Sequence, residues 1–158
     1  MSTPGVKVAE FDTIIEYPIE KVKEAIQELG KHYAKNYSGL MLTQKDEVFG
    51  LFVFNAMIKA SMLPTMGKIN VNIFKENDTS TRVKLTSSFT NSQYDYASGI
   101  HASNMQNAQT NLLSGVSKIL TGENIENIPP AKNTNGCLGI ALLLVTIGTV
   151  LFGIFVKS

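Results

Sequence analysis

Two histidines, His32 and His101, and one cysteine, Cys137, hold most of the reactive potential of this 158-residue chain. Nucleophilic catalysis needs a hydroxyl or thiol, a base and an orienting group within reach of one another. Asp95, Ser98 and His101 supply those types in one short stretch. The same types also cap helices and close turns, and their position just ahead of a helix favours that role. No HExxH, GxSxG, Walker, GxGxxG or EF-hand spacing occurs. A single cysteine excludes an intrachain disulfide and a cysteine-based zinc cluster. The expectation is therefore a domain that is not an enzyme, with no catalytic residues, no metal and no cofactor.

Binding chemistry is easier to find. Met57, Met62 and Met66 bracket Pro64 where an apolar run gives way to a loop-like stretch. Thioether side chains are pliable and suit surfaces that adapt to apolar ligands. Met105 and Leu112 sit on the apolar stripe of the last helix of the domain. These five residues are the ligand-binding set that the sequence suggests. Asn104, Asn107 and Asn111, with Gln106 and Gln109, give the same helix a neutral polar stripe, read as a solvent face or a hydrogen-bonding surface.

The elements that must position these residues follow from periodicity. Residues 6–17 read as extended. Pro18 suits the first turn of a helix, and Ile19, Val22, Ile26, Leu29 and Tyr33 recur at spacings of three and four as one apolar stripe. Four strands are expected at 40–45, 48–60, 68–75 and 81–89, with Gly50 marking a bulge or bend. In the last two, Ile69, Val71, Ile73, Val83 and Leu85 alternate with polar residues, so one sheet face is buried and the other wet. A helix over 101–120 carries Met105, Ala108, Leu112, Val116 and Ile119, and Gly122 ends it. The result is a two-layer α+β domain of order β-α-β-β-β-β-α, an antiparallel sheet with helices on one face.

This order, and the opening FDTIIEYPIEKVKEAI, resembles the TATA-binding-protein-like or helix-grip fold shared with Bet v 1 and START-type lipid-binding domains. Gln93, Asp95, Tyr96, Asn104 and Asn107 resemble a Gln-x-x-Asp-aromatic junction into an Asn-bearing helix in small bacterial domains of unknown function. The resemblance covers about residues 6–121 and implies a groove between sheet and long helix able to hold something apolar. Ala97-Ser98 before Gly99 departs from that junction.

Cys137 to Val156 is a run of 20 residues without a charge. At ~1.5 Å per residue a helix of that length crosses the hydrocarbon core of a bilayer. The expected division is a cytosolic domain at 1–121, a linker at 122–136, a transmembrane helix at 137–156 and a tail at 157–158. With no basic, apolar leader at the N-terminus, the expected topology is a single-pass tail anchor with its N-terminal domain in the cytoplasm. The formal net charge of +1 excludes a dedicated nucleic-acid binder. The expected partners are the lipid bilayer and either a hydrophobic ligand or a protein. Two functions compete: a membrane-anchored, non-enzymatic domain holding an apolar small molecule or lipid, and a tethered interaction or assembly module without a pocket.

Overall fold

The computed structural model describes residues 7–36, 39–60, 63–89 and 98–129. Strand β1 (Lys7–Ile15) leads through Pro18 into helix α1 (Ile19–Lys35). Strands β2 (Leu40–Asp46), β3 (Leu51–Ala60), β4 (Leu63–Lys75) and β5 (Thr81–Phe89) follow, then helix α2 (Ser98–Leu120) and a single 3-10 turn at Ile125–Asn127. The strands form one antiparallel sheet in the order β1-β5-β4-β3-β2.

Alternation along the strands decides which side chains meet the helices. Phe52, Phe54, Ala56 and Ile58 of β3, Ile69, Val71 and Ile73 of β4, and Val83 and Leu85 of β5 share one core with Val22, Ile26, Leu29 and Tyr33 of α1 and Met105, Leu112 and Val116 of α2. The domain is thus an α+β sandwich of two layers, with both helices on one face of the sheet. Burial of Tyr33 pushes its pKa up to about 12. The helices approach closely at Gly115, where a Cβ would lie 2.8 Å from Leu29 Cδ2. Gly122 (φ 81°) ends α2: its N–H bonds the Ile119 carbonyl, and the Glu123 N–H bonds that of Lys118.

Two strands differ from the sequence reading. Strand β3 begins at Leu51 rather than Val48, because residues 47–50 form a turn. Asp46 Oδ1 accepts the N–H groups of Val48 and Phe49, and Gly50 is left-handed at φ 62°. Strand β4 begins at Leu63 rather than Lys68. Its first residues pair with the end of β3, Leu63 opposite Ala60 and Met66 opposite Met57, and among the described residues β5 joins from Phe89, opposite Gly67.

The segment expected to be a linker starts inside the packed unit. Ile128 is 3% exposed, and its carbonyl accepts a hydrogen bond from His32 Nε2 at 2.9 Å. Lys35 and Glu126 pair at 3.3 Å beside it. His32, one of the two histidines, is buried at this contact. The expected membrane span at 137–156 and its tail lie outside the described residues. Among the described residues, no helix is long and apolar enough to cross a membrane.

Candidate functional site

Beneath the first half of α2 the inner sheet face turns polar. Thr65, Ser87, His101, Asn104 and Gln109 are all buried there, within a core otherwise built of aliphatic and aromatic groups. The longer β4 brings Thr65 onto the face that carries Ile69. Helix α2 then runs along the strand, with His101 and Asn104 over Thr65 and Met105 over Gly67. Gly67 makes that approach possible, since a Cβ would stand 2.8 Å from Met105 Cε and 2.6 Å from the Ser88 carbonyl.

At one end of this strip Thr65 Oγ1 is hydrogen-bonded to His101 Nδ1 and accepts from Asn104 Nδ2 at 3.3 Å. The hydroxyl has one hydrogen and two lone pairs, so it can meet Asn104 and either tautomer of the imidazole at once. Phe89 meets the imidazole edge-on, with centroids 6.3 Å apart. A hydroxyl joined to an imidazole and steadied by an amide can relay a proton, the elementary requirement of acid–base chemistry.

At the other end lie Ser87 and Gln109, 1% and 0% exposed. Gln109 Nε2 donates to the Ala9 carbonyl at 3.4 Å, and Ala9 is the cross-strand neighbour of Ser87. The two polar side chains therefore adjoin the same residue. Ser87 Oγ and Gln109 Oε1 are buried without a hydrogen-bond partner. Each such group costs ~1–3 kcal/mol until something satisfies it. A donor would satisfy Oε1, and a donor or an acceptor would satisfy Oγ.

Of the five residues suggested by sequence, the four that are described fall on two sides of the sheet. Met105 and Leu112 are fully buried against the inner face. Met57 and Met66 are a cross-strand pair on the outer face, 52% and 40% exposed, and Met62 lies outside the described residues. The sheet thus separates Met57 and Met66 from the space beneath α2. Asp95 lies outside the described residues, as do Gln93 and Tyr96, while Asn107 is exposed. Of the polar stripe read as a solvent face or a hydrogen-bonding surface, Asn104 and Gln109 are buried and bond to Thr65 and the Ala9 carbonyl of the sheet. They flank the Met105–Ala108–Leu112 stripe, and His101 continues it one turn back; that placement was the available signal. Among the described residues no group of three or more His, Cys, Asp or Glu could hold a metal ion.

No protein-family model matches the chain, and no curated protein sequence matches it. Solved structures with a similar course include a conserved protein of unknown function from Enterococcus faecalis. It is 9% identical over 88% of this chain and 84% of that one, with a TM-score of 0.45. A Thermus thermophilus protein is 12% identical over 75% of this chain and 100% of that one, with a TM-score of 0.44. The Zhui aromatase/cyclase from Streptomyces sp. R1128 is 12% identical over 73% and 98%, with a TM-score of 0.36. The expectation of a domain that is not an enzyme is corrected here. Structures described as aromatase/cyclases are among those with a similar course, and Thr65 and His101 meet across 36 residues, a separation beyond any local motif. At these TM-scores the likeness assigns neither an activity nor a family.

Proposed function

We propose that the domain binds a small, largely apolar molecule bearing a hydrogen-bonding group, held between α2 and the inner face of β4 and β5. The observation that carries the reading is the pair of buried, unpartnered atoms Ser87 Oγ and Gln109 Oε1. Buried polar atoms in folded proteins are nearly always satisfied, so two adjoining exceptions under one helix favour an occupant. Thr65, His101 and Asn104 would meet the same molecule from the other end and offer it a proton-relaying pair. The charge-free run at 137–156 supports a further part of the reading, that the domain is held at a membrane with its N-terminal part in the cytoplasm.

Native mass spectrometry of the full chain released from detergent tests the binding reading. A co-purified small molecule that disappears in Gln109→Leu, with the circular dichroism spectrum unchanged, supports it. A chain without an adduct, whose melting temperature is unmoved by a panel of ring-bearing alcohols and amides, overturns it. A second reading, a tethered interaction module, is favoured by the uncovered outer face, where Met41 adjoins the Met57–Met66 pair and all three are exposed. Under that reading, Met57→Asp would abolish capture of a partner without changing small-molecule uptake.

A further inference from the structure

The turn at residues 47–50 presents two large apolar side chains to solvent: Val48 is 88% exposed and Phe49 78%. Asp46 Oδ1 takes both of their N–H groups at 3.1 Å, so the backbone beneath them is held. Gly50 fixes the exit from the turn. It is left-handed, and a Cβ there would stand 2.5 Å from the Ile73 carbonyl. The pairing of Leu51 with Asn72 continues through the bond from the Ile73 N–H to the Gly50 carbonyl, so the turn leaves the sheet at the end of β4 that carries Phe74. Phe74 and Ile14 are both cross-strand partners of Arg82 on the outer face, and both are about half exposed. One end of the sheet therefore carries an apolar rim of four exposed side chains, Val48 and Phe49 on the turn and Phe74 and Ile14 on either side of Arg82. Lys45 pairs with Glu47, Lys75 with Asp78 and Arg82 with Asp12 beside it, and the carboxylates of Asp46 and Glu76 lie there as well.

We propose that this rim is a lipid-contacting surface that dips into the interface of the bilayer in which residues 137–156 are anchored; the proposal rests on that anchoring. Apolar side chains on a fixed turn gain by burial among headgroups and acyl chains. A rim this small binds weakly by itself. A short tether turns its docking into an intramolecular event at high effective concentration. The reach is sufficient. Residues 130–136 separate the end of the packed unit from the apolar run, and the eight steps from 129 to 137 span up to roughly 27 Å when extended. The packed unit ends beside His32, whereas Lys45 next to the turn bonds Gln27, and Lys23 acts on Glu47. From Lys23 to His32 the helix rises only about 14 Å. With no excess of positive charge around it, the rim docks without help from anionic lipid.

The absence of tryptophan makes the test direct. Phe49→Trp and Met57→Trp place single reporters at opposite ends of the outer face in the full chain. Each is reconstituted in zwitterionic phosphatidylcholine vesicles with and without brominated acyl chains. The expected result is that both chains float with the vesicles. Phe49→Trp emission shifts to the blue and loses most of its intensity to the brominated lipid, while Met57→Trp keeps its emission, and added salt changes neither. Three results overturn the proposal. In the first, Phe49→Trp is unquenched although the chain floats, which leaves the anchor standing and removes the rim. In the second, Met57→Trp is quenched as strongly as Phe49→Trp. In the third, the chain fails to float, which removes the anchor and the rim together.

Discussion

Ser87 and Gln109 make the sharpest demands on the molecule at the residue scale. An unpartnered hydroxyl on the inner sheet face is a cost that removal relieves. Ser87→Ala is therefore expected to leave stability of the ligand-free protein unchanged or to raise it by about 1 kcal/mol, read as a higher urea midpoint. A fall in the midpoint would show that the hydroxyl is satisfied in solution. Acid sensitivity is set on the outer face. Asp12 has its pKa lowered chiefly by the hydrogen bonds from Arg82, and Glu47 and Asp78 have theirs lowered by Lys45 and Lys75. A depressed folded-state pKa contributes stability that is present above the unfolded value of ~4 and lost as pH falls through the folded value. The protein should accordingly hold a flat melting temperature above about pH 5 and lose it below pH 4, with the decline reduced in Asp12→Asn. Gln109 was legible only as a helix residue. Its burial depends on how α2 rotates against β1, which the spacing of polar residues does not encode.

Each helix, at the scale of elements, is fixed by a stripe that the sequence displays plainly. Ile26 and Leu112 lie mid-stripe and are buried at the centre of the common core. Replacing either with Ala should cost roughly 2–5 kcal/mol, whereas Glu24→Ala on the exposed side of α1 should stay within about 0.5 kcal/mol. Similar urea midpoints for the three variants would mean that the helix faces are assigned wrongly. Strands β4 and β5 were equally legible where polar and apolar residues alternate. The first residues of β4 were not, because Pro64 and Gly67 read locally as loop residues. What admits them is the pairing of Pro64 with Lys59 of β3 and the passage of Met105 over Gly67. Thr65 entered the candidate site through that extension. Val48 and Phe49 failed in the opposite direction, since two strongly β-forming residues stand in a turn held by Asp46 and Gly50.

The whole molecule is closed by a contact between its distant parts. His32 of α1 holds the carbonyl of Ile128, and the Ile128 side chain completes the core. Ile128→Ala should cost roughly 2–5 kcal/mol, a core truncation rather than a change in a linker. An unchanged denaturation midpoint would return residues 122–129 to the role of a tether. The sequence by itself determined the order of elements, the two-layer class, the stripes facing the core and the charge-free run at 137–156, because each depends on residues close together in the chain with a fixed period. Tertiary structure alone decided the rest. It buried Thr65, His101 and Asn104 together, left Ser87 Oγ and Gln109 Oε1 buried without a hydrogen-bond partner, and put Met57 and Met66 on the far side of the sheet. The physical reason is that strand register and helix rotation are set by long-range packing. A side chain's environment there depends on partners dozens of residues away.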